Sequence, residues 1–241
     1  MSKRKKIFLI SLSSFFGIVL IWVLGFIIYA SDYYKASSEV YDYHIENNIN
    51  KESYNDYTVY YGDSYEAAVI FYPGGKVSCS AYIPLMVELA KRDIMGILVS
   101  MPFNLAVFGI NRADGIKKRF RDINKWYMSG HSLGGAMAAS YISNHKNDYD
   151  GLILLAAYSE ADVSDLNVLS IYGSNDKVLN KDKYTSNLKN LGKDYVEIII
   201  DGGNHSGFGV YGYQANDGES SLDDLEQIKL TSSYIYEFIY E

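Results

Sequence analysis

Residues 126–135, WYMSGHSLGG, constrain this chain more than any other stretch. An apolar, β-prone run leads into Gly130, His131, Ser132, Leu133 and Gly134, and an Ala-rich helix-forming sequence follows from Ala136. A strand that passes into a helix through so short a turn must bend sharply at its central residue, and flanking glycines let neighbouring backbone come close. The serine then sits at a strained tip with a helix N-terminus behind it. There the amide of Leu133 and the helix dipole offer positive potential to an oxyanion. Glycine-rich turns of this kind also occur for structural reasons alone, but with strand and helix both in place Ser132 is a candidate nucleophile.

The remaining sequence supplies the scaffold such a turn requires. Short apolar, β-branched or aromatic runs at 57–61, 67–71, 94–99, 126–129, 152–156, 168–172 and 196–200 alternate with helical patterns. The helical patterns fall at 81–92, 112–122, 133–144, 181–191 and 221–240. Together they predict an α/β architecture, a mostly parallel, doubly wound sheet of about seven to eight strands flanked by helices. In the last helix Leu222, Leu225, Ile228, Tyr234, Ile235 and Phe238 recur at helical spacing as a packing stripe.

A serine hydroxyl needs a base, and the chain has four histidines. His44 lies in a polar N-terminal stretch, the direction of His131 is fixed by the turn, and His145 falls at the end of the following helix. His205 is left, on the Gly-rich loop DGGNHSG (201–207) directly after the last predicted strand. The imidazole in turn needs a carboxylate. The run VLSIYGSND (168–176) is a strand ending in a turn that presents Asp176, with Asp162 and Asp201 as weaker candidates.

A second oxyanion donor is expected after an early strand, in FYPGGK (71–76), from the amide of Gly75 or its neighbour Lys76. Lys76, His131, Phe208 and Tyr211 are possible substrate contacts. The irregular stretch 206–220, with Phe208, Tyr211 and Tyr213, either folds over the site as an aromatic wall or covers the sheet edge. Only about nine residues separate Tyr158 from Val168, too few for an inserted helical lid, so no large lid is expected.

The set YPGG, GHSLGG, GSND and GGNHSGFG resembles the α/β-hydrolase superfamily, and within it the membrane-anchored bacterial branch similar to dienelactone hydrolases and carboxylesterases. The resemblance covers about Tyr57 to the C-terminus. It implies an eight-stranded, mostly parallel sheet, a Ser132, His205, Asp176 triad, no metal and no other cofactor. Dienelactone hydrolases place a cysteine where this chain has Ser132, so their particular substrate is not implied. The expected chemistry is cleavage of an ester or related acyl bond in a small-molecule, lipid or cell-surface substrate through an acyl-enzyme. An acyltransferase on the same fold and a non-catalytic surface binding module are the alternatives.

Ahead of this domain, residues 7–29 carry neither charge nor proline. As a helix rising about 1.5 Å per residue they span roughly 35 Å, enough to cross a bilayer. Lys3, Arg4, Lys5 and Lys6 precede the run and Asp32 follows it, which predicts a cytoplasmic N-terminus and an extracytoplasmic domain. Secretion after signal-peptide cleavage is the alternative. The expected organisation is a basic stub and transmembrane helix over 1–30, a polar, tyrosine-rich spacer over 31–56, and the catalytic domain over 57–241.

The net charge is −7, and none of the 29 acidic residues precedes Asp32. The domain is therefore read as strongly acidic and without a basic patch, which disfavours nucleic acid as a partner. Cys79 is the single cysteine, which excludes an intrachain disulfide and a cysteine-rich zinc site.

Overall fold

The computed structural model describes residues 3–241, so residues 1 and 2 of the predicted N-terminal segment lie outside the described residues. The chain divides into two compact units, Met1–Tyr33 and Tyr34–Glu241. In the first, α1 (Lys3–Ser31) contains an 18-residue window of mean hydropathy 2.6, long and apolar enough for a membrane anchor or a signal sequence. Its last turn is closed by Ser31 Oγ donating to the carbonyl of Ile28 at 2.9 Å.

The second unit carries, in chain order, α2 (Tyr43–Glu46), β1 (Asn50–Ser53), β2 (Tyr57–Tyr61), β3 (Ala67–Tyr72), α3 (Ile83–Ala90), β4 (Ile94–Val99), α4 (Ile116–Arg119) and β5 (Lys125–His131). It continues through α5 (Leu133–Ser143), β6 (Gly151–Leu155), β7 (Asn167–Gly173), α6 (Lys181–Asn187), β8 (Val196–Ile200) and α7 (Asp224–Tyr240). The strands form one eight-stranded sheet in the order β1-β2-β4-β3-β5-β6-β7-β8. Pairing is antiparallel from β1 through β2 to β4 and parallel from β4 to β8. The predicted α/β class and mostly parallel sheet are borne out.

The interior strands read as unbroken apolar runs because both faces are covered. Along β3, Val69 and Phe71 join the core that also holds Leu85, Ile153 and Ile228, while Ala68 and Ile70 join the one that holds Met128, Ala138 and Leu152. Helices α3 and α7 cover the first face and α5 the second. No helix is inserted between β6 and β7 among the described residues, as the short spacing predicted.

Three expectations are corrected. Of the stretch 31–56 expected as a spacer, the part from Tyr34 on belongs to the second unit. The Tyr34 amide donates to the carbonyl of Lys76 at 2.8 Å, Ser37 donates to that of Val210 at 3.1 Å, and β1 pairs with β2. Strand β1, NKES, is exposed along its whole length and is held by backbone pairing at a sheet edge, so no apolar alternation announces it. The helix expected over 112–122 shrinks to the four residues of α4, because Gly115 at φ 78° turns the chain just ahead of it and Phe120 leaves helical geometry behind it. Finally, a basic run does exist outside the N-terminus. KKRFR at 117–121 is hidden by the acidic total, and Lys117, Lys118 and Arg121 line one surface hollow.

What positions the site is the order in which strands are laid down. From β3 the chain builds outward to β4 on one side and then crosses to β5 on the other. The loops leaving β3 and β5 therefore diverge at their carboxyl ends and open a crevice between them, where open α/β sheets hold their ligands.

Candidate active site

Ser132 stands at the crevice, between the last residue of β5 and the first of α5, with φ 51° and ψ −122°. A non-glycine residue there costs on the order of 1–3 kcal/mol and persists only when its surroundings hold it. They do. The Ser132 amide donates to the carbonyl of Leu155 at 2.9 Å, and its carbonyl accepts from Ala136 at 3.1 Å, which locks the turn to β6 on one side and to α5 on the other. The glycines are a matter of space. A Cβ at Gly130 would lie 2.5 Å from the backbone of Gly134, and one at Gly134 would collide with the carbonyls of Tyr72 and Pro73.

His205 follows β8 and is buried, and its Nδ1 lies 2.9 Å from Oδ2 of Asp176. Asp176 sits on the turn after β7, where its other oxygen, Oδ1, accepts the amides of Val178 and Leu179, each at 2.8 Å. Burial by itself would raise the carboxyl pKa. The hydrogen bond and charge of His205 and the two amides outweigh it and hold Asp176 below its ordinary value, hence ionised. An ionised carboxylate only accepts, so Nδ1 carries a proton, and in the neutral ring it is Nε2 that presents the lone pair. Nε2 is buried and has no hydrogen-bond partner among the described residues.

Ser132 and His205 line one cleft of about 250 Å³. Its apolar walls are Leu133, Ala136, Ala157, Val178 and Leu179, and Tyr158 and Asn180 are its polar contribution. The two expected oxyanion amides differ from the alternative in what they already bond. The Lys76 amide donates to the carbonyl of Asn104 at 2.8 Å and is committed, whereas the amides of Gly75 and Leu133 form no hydrogen bond among the described residues. The side chain of Leu133 packs against Gly75, since a Cβ there would meet Leu133 Cδ2 at 2.8 Å.

The remaining sequence candidates lie elsewhere than in the cleft. His131 is buried. The Gly74 amide donates to the hydroxyl of Tyr82 at 3.1 Å, and that hydroxyl lies 2.8 Å from His131 Nδ1. Burial, with the neighbouring His205 as a smaller cause, drives the His131 pKa well down, so its ring is neutral packing 4.6 Å from the ring of His205. Phe208 is fully buried with its ring 5.6 Å from that of His131. Tyr211 is buried against Tyr34 and Tyr82, and its hydroxyl donates to Gln214 at 3.0 Å. The start of the 206–220 stretch is thus core behind the histidines rather than a wall over the cleft. Tyr82, Tyr158 and Asn180 have no local pattern that marks them; only the packing brings them here.

The hollow lined by KKRFR residues is larger, about 760 Å³, and mixes Lys117, Lys118 and Arg121 with Asp114 and Asp148. It contains none of the groups just described.

The sequence pattern described as the alpha/beta hydrolase family matches residues 68–229 of this chain. No curated protein matches it. Among solved structures, TT1662 from Thermus thermophilus superposes with a TM-score of 0.59 at 11% identity over 80% of this chain and 99% of that one. A soluble variant of monoglyceride lipase from Saccharomyces cerevisiae, in complex with a substrate analog, gives 0.57 at 11% identity over 79% and 94%. Carboxyl esterase 2 from the mycorrhizal fungus Tuber melanosporum gives 0.54 at 12% identity over 79% and 84%. At such identities the likeness concerns the fold.

Proposed function

This chain belongs to the alpha/beta hydrolase family, and from that premise we propose that it is a serine esterase working through Ser132, His205 and Asp176. The observation that carries the reading is the His205 imidazole, whose Nδ1 is held by an ionised Asp176 at 2.9 Å while Nε2 stays unbonded beside the cleft it shares with Ser132. Ser132 Oγ attacks the ester carbonyl as Nε2 takes its proton. The amides of Leu133 and Gly75 receive the oxyanion, and the imidazolium returns the proton to the leaving alcohol. Water, deprotonated by the same nitrogen, then releases the acid and frees the serine.

The cleft favours a neutral substrate with a small apolar group beside the carbonyl, since no charged side chain other than the His205 pair faces it and its volume is below the ~300 Å³ at which pockets for larger ligands begin. Access without an inserted lid favours water as acceptor over a sugar or lipid hydroxyl. α1 is the anchor in this reading, with its basic end in the cytoplasm and the domain outside.

The test is fluorophosphonate labelling of the full chain in membranes, with p-nitrophenyl acetate turnover measured with and without an added alcohol. Labelling of Ser132 and acetate release unaffected by the alcohol support the proposal. Absent labelling and turnover would leave a binding module, and acyl products on the alcohol an acyltransferase. Protease treatment of intact cells should remove the domain; survival until the cells are lysed would refute the outward topology.

A further inference from the structure

We propose that Gln227, on α7, is a positioning residue that sets where His205 stands by clasping the backbone of the residue before it. The inference rests on the catalytic reading of His205. Gln227 is completely buried, and its side-chain amide meets both backbone groups of Asn204. Oε1 accepts the Asn204 amide at 3.0 Å, and Nε2 donates to the Asn204 carbonyl at 2.9 Å. Both halves of the side chain are thereby satisfied, as a buried amide requires, and both are spent on one residue of the histidine loop.

The glycines of GGNHSG have the shape this clasp needs. A Cβ at Gly203 would stand 2.7 Å from Gln227 Oε1, and one at Gly207 would collide with the same amide. The loop is curled around the Gln227 side chain, so its glycine spacing answers to a residue far downstream in the chain. Two bonds complete the fixation on the far side of His205. Asp217 Oδ2 accepts the Ser206 amide at 2.9 Å, and Asn204 Oδ1 accepts that of Gly207 at 2.9 Å. The residues on either side of His205 are thus pinned by side chains from elsewhere, while its own ring is pinned only at Nδ1.

The position of Gln227 is otherwise unexplained. It lies beside Ile228 on a helix that packs apolar residues into the core, where an aliphatic side chain would serve packing equally well. Loops are the mobile parts of a fold, and an ångström of displacement in a catalytic group costs about a hundredfold in rate. A buried two-point hydrogen bond makes a loop residue behave as part of the scaffold.

The experiment replaces Gln227→Met, which keeps the length and removes both hydrogen bonds. It follows p-nitrophenyl acetate kinetics across pH, and amide hydrogen exchange over 203–208. The expected result is exchange about tenfold faster in that loop, kcat lower by about ten- to a hundredfold, KM within about twofold, and an acid limb of kcat/KM displaced by about half a pH unit or more. Faster exchange with kcat and acid limb as in the unaltered protein would overturn the inference, as would unchanged exchange. If that variant does not fold, Gln227→Glu, which keeps the acceptor for the Asn204 amide and loses the donor to its carbonyl, asks the same question. A kcat lower by about tenfold with faster exchange over 203–208 supports the clasp, and unchanged kcat and exchange refute it. An unaltered protein that neither turns over the ester nor is labelled at Ser132 overturns both the catalytic reading and this one, and that outcome is visible before any variant is made.

Discussion

The cleft at Ser132 and the hollow beside α4 differ in nearly every respect that matters for chemistry. The hollow has about three times the volume, some 760 against 250 Å³, and is lined by three cations and two carboxylates. The cleft is small and almost uncharged, yet His205, whose Nε2 has no partner among the described residues, and Leu133, whose amide is uncommitted, both line it. The hollow's polar groups are turned to solvent or to each other, as Tyr141 donating to Asp114 at 2.8 Å illustrates. In the proposed reading, reactivity comes from polar groups that the fold leaves unpaired, and not from the number of charges around a cavity.

Five measurements break or sharpen that contrast. The largest effect is expected from Ser132→Ala, which should lower ester turnover by about ten-thousandfold or more without changing Tm much. Residual activity near that of the parent protein would move the chemistry out of the cleft. Asp176→Asn should follow at about a thousandfold or more, because an amide can no longer enforce the Nδ1–H tautomer. Steady-state kcat is the readout, and a loss of less than tenfold would show that the imidazole is oriented by something else.

Leu179→Ala opens the apolar wall of the cleft, and p-nitrophenyl ester series should show the preferred acyl chain lengthening, with relative kcat/KM for hexanoate over acetate rising about tenfold. An unchanged profile would place that substrate group outside the cleft. A smaller effect concerns the floor beneath it. The folded-state pKa of His131 lies well below its ordinary 6.5, so below that pH the unfolded chain binds the proton first and stability falls as pH falls toward the folded value. Asp176, with a depressed pKa, gives up its contribution only below its ordinary 3.8. Tm measured from pH 7 to 5 should therefore decline, and decline less in His131→Gln; parallel curves would refute the assignment. Last, Lys117→Ala combined with Arg121→Ala should change kcat/KM by less than about twofold, as expected of exposed charges remote from the reaction. A loss of tenfold or more would mean that the hollow takes part after all.

How far the site was readable depended on whether its parts were local. Ser132, Leu133 and the glycines around them form a contiguous turn whose backbone demands are met within ten residues, so their pattern is visible in one dimension. His205 and Asp176 are legible only as a loop and a turn at strand ends, and the fold brings their side chains to 2.9 Å of each other. The proposed contacts at Lys76, His131, Phe208 and Tyr211 fared differently, because proximity in sequence to a motif says nothing about which way a side chain points. His131 and Phe208 are turned into the core behind the imidazole. Strand β1 is invisible for a related reason, since it is joined to the sheet by backbone hydrogen bonds, which any residue but proline can make, and the segment from Tyr34 is held by packing on residues far along the chain, with Val40 in the core and Tyr34 against Tyr211.

The sequence by itself determined the α/β class, seven of the eight strands, the turn that carries Ser132 and an apolar helix of membrane-spanning length. These depend on periodicity, glycine placement and run length, which neighbouring residues settle among themselves. Only the tertiary structure decided which amides stay free, that Tyr82 bonds both Gly74 and His131, and that Gln227 reaches back to Asn204. Those pairings join residues far apart in the chain, and a buried polar group takes whatever partner the packing brings to it, a choice that exists only once the chain has folded.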